Sequence, residues 1–140
     1  MSASRAGTTL VELSLVIAVA GLLTTITVPR LRTATERLAV RGAAQDVRLA
    51  FAVARDQAVR RGDYVSVVTD ALTGRVTVRA NGDTLFARGV ARRGVTLSAS
   101  RDSITFAPTG LGWGAANTTI VLRRGGFVDS VVVSRLGRVR

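Results

Sequence analysis

The sequence predicts an α+β protein: a long N-terminal helix, its first half a membrane anchor and its second half amphipathic, packed on antiparallel β-sheet. Three observations predict this. Residues 8–28 are apolar or weakly polar except for one acid, Glu12. Residues 30–61 carry apolar side chains at spacings near three, four and seven, the signature of a 3.6-residue period. Beyond Asp63 the period changes to two, in short runs separated by Gly, Asn and Asp. The chain therefore divides into a short N-terminal stretch, 1–7, an apolar helical segment, 8–29, an amphipathic helical segment, 30–62, and a β-rich domain, 63–140.

The apolar run is about the 20 residues needed to cross a hydrocarbon core of about 30 Å. Ser14, Thr24, Thr25 and Thr27 are tolerable within it because their hydroxyls can bond back to helix carbonyls. Pro29 ends the pattern and is expected to break the helix, and Arg30 and Arg32 mark the water side. A charge inside a membrane helix costs roughly 2.5–3.5 kcal/mol on insertion scales, so Glu12 calls for a functional reason and a partner cation. A cleaved secretory signal, with Arg5 as its charged region and Ala18-Val19-Ala20 as its cleavage site, is one simple account; a plain single-span anchor is another. Neither explains Glu12, and the first does not explain why the apolar run continues past Ala20.

In the second helical segment Leu31, Leu38, Val47, Phe51, Ala54 and Ala58 form the expected buried stripe, with Arg37, Arg41, Arg48 and Arg55 on much of the rest. Gly62-Asp63 is the expected helix end. Strands are predicted at 64–69 and 75–79, joined by a turn over 70–74, and at 84–90 after the hairpin signal Asn81-Gly82. Further strands are predicted at 95–99, 103–107, 118–123 and 130–135. Many short strands beside one helix imply one or two antiparallel sheets covering a helix face.

Composition narrows the chemistry. Roughly 110 residues remain beyond the anchor, enough for one small domain with its own core. There is no cysteine and no histidine, which removes disulfides, thiol nucleophiles, thiolate metal sites and the commonest general base. Glu12 and Glu36 are the only glutamates, and the serines have no histidine or lysine to activate them. No catalytic residue, cofactor or metal site is predicted. All 20 basic residues are arginines, which bind phosphate bidentately, and the formal net charge is +11.

The stretch Gly7-Thr8-Thr9-Leu10-Val11-Glu12-Leu13 resembles the class III signal of type IV pilins and type II secretion pseudopilins, with a short basic leader ending in Gly and a T-L-[IV]-E-L core. The resemblance implies cleavage between Gly7 and Thr8 by a prepilin peptidase and N-methylation of Thr8, where the family prefers Phe. Glu12 then becomes the fifth mature residue and Pro29 the twenty-second, while Gly21 falls where such helices loosen. Cleavage creates a cationic amine one helical turn, roughly 6 Å, from Glu12. Glu12 can neutralise that amine or a neighbouring subunit's, which would set axial register in a helix bundle.

Further along, Phe106-Ala107-Pro108-Thr109-Gly110 and the ending Gly137-Arg138-Val139-Arg140 resemble the C-terminal half of the GspH/FimT family of minor pilins and pseudopilins. The absence of a disulfide loop also leans toward a minor subunit. The implied function is a filament subunit of a type IV pilus or type II secretion pseudopilus, partnered by other pilins and, before assembly, by membrane lipid. The implied location is the bacterial inner membrane, single-pass, with the C-terminal domain outside the cytoplasm. Arg30, Arg32, Arg37 and Arg41 outnumber Arg5 and the new amine, so flanking charge alone argues for the opposite orientation, although long domains translocate despite it.

Arg123, Arg124, Arg135, Arg138 and Arg140 form a candidate patch for DNA or a protein partner, because the strands that carry them are expected to pair across Gly125-Gly126. Arg138 and Arg140 share a face if the tail is extended. The plain alternative is a solvated basic edge that discourages aggregation. FimT-type relatives are implicated in DNA uptake during natural transformation, so the resemblance adds a DNA-receptor reading. A third reading is a membrane-anchored binding protein that enters no filament. The stretch Gly110-Leu111-Gly112-Trp113-Gly114 lacks the Lys-Ser/Thr and helix of a phosphate loop and reads as a surface loop. Trp113 is then a loop anchor on the sheet, an exposed partner contact or a base-stacking platform.

Overall fold

The computed structural model describes residues 9–114 and 117–140, without the side chain of Ile26. It comprises one long helix, α1 (Leu10–Arg61), and eight strands. These are β1 (Val65–Asp70), β2 (Arg75–Ala80), β3 (Asp83–Gly89), β4 (Thr96–Ala99), β5 (Ser103–Phe106), β6 (Gly112–Trp113), β7 (Thr118–Arg124) and β8 (Phe127–Val133). The described residues form two units, which divide between Thr35 and Glu36.

In the first unit the side chains of Leu10–Val28, Ile26 aside, are exposed. The hydroxyls of Ser14, Thr24, Thr25 and Thr27 donate to the carbonyls of Val11, Ala20, Leu22 and Leu23 at 2.7–2.8 Å, as expected for an apolar surrounding. The helix is not broken at Gly21 or Pro29, contrary to the sequence expectation. Pro29 has no N–H for the carbonyl of Thr25, but that loss is confined to one turn. Thr33 adds a hydroxyl bond to the Pro29 carbonyl at 2.9 Å.

In the second unit, α1 buries Val40, Ala43, Ala44, Val47, Ala50, Phe51, Ala54 and Ala58. Five of these eight are alanines, so strand side chains approach the helix backbone closely with little loss of side-chain entropy. Leu31 and Leu38, expected in this stripe, are 64% and 66% exposed. At 100° per residue they lie on the side opposite Val47, and Val40 and Ala44 occupy the buried side instead. The helix closes at Arg61, where the Asp63 N–H donates to the Ala58 carbonyl at 3.3 Å, a Schellman-type end.

Two antiparallel sheets cover that face, in the orders β3-β2-β1-β5-β6 and β4-β7-β8. Val65, Val67, Val76, Val78, Ile104 and Phe106 of the first sheet join Leu97, Ile120, Leu122, Val131 and Val133 of the second in one core with α1. Phe51 meets Phe106 edge to face, with ring centroids 6.3 Å apart. Full burial of such a side chain is worth roughly 1.5–3 kcal/mol. The β2–β3 connection is the expected two-residue hairpin turn, with positive φ at both Asn81 and Gly82.

The end of the chain departs from expectation. The strand expected at 130–135 lies at Phe127–Val133, and the chain then reverses. Ser134 and Arg138 close the turn, and Val132 and Arg140 exchange both backbone hydrogen bonds at 2.9 Å. The tail thereby pairs with β8 and covers the edge of the second sheet. A further departure is β6, expected as loop, which adds a fifth strand to the first sheet through Thr105↔Trp113 and Phe106↔Gly112.

Candidate functional site

Two regions carry the chemistry. The first is the start of α1. Thr9 precedes the helix, and its hydroxyl accepts the Glu12 N–H at 3.3 Å while its carbonyl accepts the Leu13 N–H at 3.1 Å. Thr9-Leu10-Val11-Glu12 is thus the T-x-x-E pattern of a capping box, with Thr9 as N-cap and Glu12 at the third helical position. A carboxylate in the first turn also faces the positive end of the helix dipole. The spacing of Thr9 and Glu12 signals this local role, which the cleavage pattern beside it overshadows in the sequence. Gly7 and Thr8, the expected cleavage site, lie outside the described residues.

The second region is the groove between α1 and the C-terminal tail. Arg138 and Arg140 are both exposed, on either side of the half-buried Val139, as alternation along an extended tail requires. They line a groove of about 630 Å³ whose other wall is Phe51, Ala52, Arg55 and Val59 of α1. The backbone permits this approach at Gly137. Its φ is +71°, and an added Cβ would lie 3.0 Å from the Gly110 carbonyl and 3.3 Å from the Phe106 ring. The groove therefore has an apolar floor and three arginines, Arg55, Arg138 and Arg140, on its walls. Asp56 also lines it, but its carboxylate is held by the Arg60 guanidinium at 2.8 Å. In the sequence Arg55 reads only as part of the polar helix face, because nothing in the spacing places residue 55 beside residue 138.

The other three arginines do not join this group. In an antiparallel hairpin the end of one strand adjoins the beginning of the next, not its end. Arg124 pairs with Phe127, whereas Thr118 pairs with Val133, so Arg123 and Arg124 sit at one end of the β7–β8 hairpin and Arg135 follows the other. The expectation of one five-arginine patch is corrected accordingly. Arg124 also ties two segments together, since its guanidinium donates to the Arg93 carbonyl. Arg93 in turn binds Asp46 of α1 at 2.7 Å. Arg135 lines a separate cleft with Arg101, Gly112, Gly114 and Asn117.

The helix, the two sheets and the paired tail can be compared with known proteins. The family model described as "Type II transport protein GspH" matches residues 43–137, more than half of the chain. The chain belongs to the GspH family. No curated protein matches it. Among solved structures, the type IV minor pilin FimU of Pseudomonas aeruginosa is 20% identical with a TM-score of 0.64, over 76% of this chain and 90% of that one. The minor pseudopilin EpsH from the Type 2 Secretion System of Vibrio cholerae is 15% identical with a TM-score of 0.58, over 72% and 94%. At these identities the likeness concerns the fold: a long N-terminal helix packed on antiparallel sheets, as in minor pilins and pseudopilins. The GspH match begins after Glu12 and ends one residue before Arg138, so the helix start and the two tail arginines lie outside it.

Proposed function

We propose that this GspH-family chain is a minor subunit of a type IV pilus or type II secretion filament, inserted in the inner membrane and then assembled through its N-terminal helix. The observation that carries this reading is the first half of α1. It is apolar on all sides, long enough to cross a membrane and exposed at every described side chain, yet holds one carboxylate at its first turn. An apolar helix surface of that size needs lipid or other helices to cover it. A lone acid near the helix start suits pairing with an N-terminal amine, its own or a neighbour's, and penalises every other stagger. Cleavage after Gly7 by a prepilin peptidase, with methylation of Thr8, would supply that amine, and the β-rich domain would face away from the cytoplasm.

The test has two parts. Mass spectrometry of the chain from membranes should show a mature form beginning at a methylated Thr8. Glu12→Ala should insert normally but fail to enter filaments, and normal incorporation would refute the register role. An uncleaved Gly7-Thr8 bond would instead favour an anchored protein that enters no filament.

A second reading, a DNA receptor, is favoured by one observation: Arg55 joins Arg138 and Arg140 around a single groove. Each phosphate neutralised releases counterions, so affinity should fall steeply with salt. Arg138→Gln with Arg140→Gln should weaken duplex DNA binding and flatten the salt dependence. Unchanged binding would leave the arginines as a solvated edge.

A further inference from the structure

The face of the five-stranded sheet that points away from α1 carries an exposed aromatic pair that belongs neither to the apolar half of α1 nor to the tail groove. Trp113, the single tryptophan, is 62% exposed. Tyr64, just before β1, is 45% exposed and meets it edge to face, with ring centroids 5.2 Å apart at 71°. The register runs Arg79–Ser66–Thr105–Trp113 across β2, β1, β5 and β6. Val65, Val67, Val76 and Val78 are buried toward the helix, so alternation puts this row on the opposite face. The two residues before Trp113 are fixed by backbone bonds. The Ala107 N–H donates to the Leu111 carbonyl at 2.8 Å, and the Gly112 N–H donates to the Arg135 carbonyl at 3.2 Å.

An aromatic ring of this size contributes most to stability when buried, and this one keeps most of its surface in water. Beside it the face carries several hydroxyls. Ser66 and Thr105 share a hydrogen bond at 2.9 Å, and Thr77 and Ser103 flank Val68 in the next row. Arg79 lies in the same row on β2, three strand spacings or about 14 Å from Trp113, a distance that a few nucleotides span, and Arg75 lies four residues further along β2. Asp70, an acid on this face, is engaged in its own turn, accepting from the Thr73 hydroxyl at 2.6 Å and the Leu72 N–H at 2.9 Å, and Asp63 beside Tyr64 accepts from the Asn81 amide at 2.7 Å. An aromatic stacking surface, a cationic far end and a net charge of +11 suit a polyanion with free π-faces.

We infer that this sheet face binds single-stranded nucleic acid, with an unpaired base stacked on Trp113, Tyr64 buttressing the ring, and Arg79 and Arg75 contacting phosphates. Duplex DNA keeps its bases stacked inside and cannot use the platform, whereas the tail groove sees only phosphates. The two sites are therefore separable.

The experiment uses the full chain in neutral detergent micelles. A labelled thymidine oligomer is followed by anisotropy, and an unlabelled one by quenching of Trp113 fluorescence. Saturable quenching is expected with the oligomer and not with a duplex of equal length or with inorganic polyphosphate. Trp113→Ala should weaken binding about fivefold or more, and Trp113→Tyr should restore most of it. Arg79→Gln should weaken binding and flatten its salt dependence, while Arg138→Gln with Arg140→Gln should leave the quenching intact. The inference is overturned if Trp113→Ala binds the oligomer as the parent does. It is equally overturned if duplex or polyphosphate quenches as well as the single strand, if the tail variant abolishes quenching, or if no oligomer binds, in which case the pair is left as a contact for a protein partner.

Discussion

The two halves of α1 follow opposite rules. Leu10–Val28, whose Ile26 side chain is not described, turns every described side chain outward, and its hydroxyls are satisfied by its own carbonyls. From Val40 to Ala58 the same helix buries one face against two sheets and exposes the other. In the second half, stability comes from packing, so losses there should appear in the unfolding of residues 36–140. In the first half no tertiary core exists among the described residues, so helix formation rests on backbone bonds, capping and the surrounding medium.

The largest expected effect tests the packed half. Phe51→Ala removes a ring buried at 1% exposure against Phe106 and should destabilise the domain by about 3–5 kcal/mol. Chemical unfolding followed by Trp113 fluorescence measures it. The same truncation at Leu15, which is 64% exposed, should leave that midpoint unchanged, and a shared loss would break the contrast.

Next comes the tail. Gly137→Ala puts a Cβ against the Gly110 carbonyl at a positive φ and should cost about 1–3 kcal/mol. Amide exchange of Val132 and Arg140 should quicken if the tail detaches before the domain unfolds.

Thr9→Ala tests the exposed half. It removes the N-cap and should cost about 0.5–2 kcal/mol of local helix stability, seen as fraying of residues 10–13 by NMR in micelles, with domain unfolding unchanged. Glu12→Gln sharpens the result, because Gln also suits a capping box but carries no charge. A helix intact in that variant, with incorporation lost, would assign Glu12 to charge pairing and not to capping.

The smallest effect is at the β1–β2 turn. The Asp70 carboxyl is held below its ordinary value chiefly by the Thr73 hydroxyl and next by the Thr73 N–H, against desolvation, with the Leu72 N–H adding least. A lowered folded value means that the stabilisation is complete above the unfolded value, near 3.9, and is lost as pH falls through the folded one. The Thr73 amide shift should therefore titrate below pH 4, and Thr73→Val should move the midpoint upward.

Much of the fold was legible in sequence because it rests on local patterns. The shift from a period of 3.6 to one of two located the helix end within a residue of Arg61 and most strands within two residues. The misses share a cause, which is that pairing partners and medium are not local. β6 is two residues long and exists only because β5 offers it an edge. The reversal at 134–138 was hidden because the β-branched run Val131-Val132-Val133 passes into Ser134 and Arg135 with no Gly or Pro before Gly137, and only pairing with residues 138–140 ends the strand. Leu31 and Leu38 fit a heptad with each other, yet the buried side is set by where the sheets begin to cover the helix, at Val40. Thr9 is a different case, since its spacing to Glu12 is a local signal that needs no tertiary partner.

Sequence alone determined the long helix, its apolar first half, the position of Glu12, the antiparallel strands and an excess of arginine. All of these follow from covalent spacing and the transfer preferences of side chains. Tertiary structure decided which arginines are neighbours and which aromatic side chains stay in water. Arg55 meets Arg138 and Arg140, Arg124 is taken up by the Arg93 carbonyl, and Trp113 lies across Tyr64 on an open sheet face. Those juxtapositions join residues 31 to 85 positions apart. They follow from strand order and register, which are set by the whole core at once and by no local run of residues.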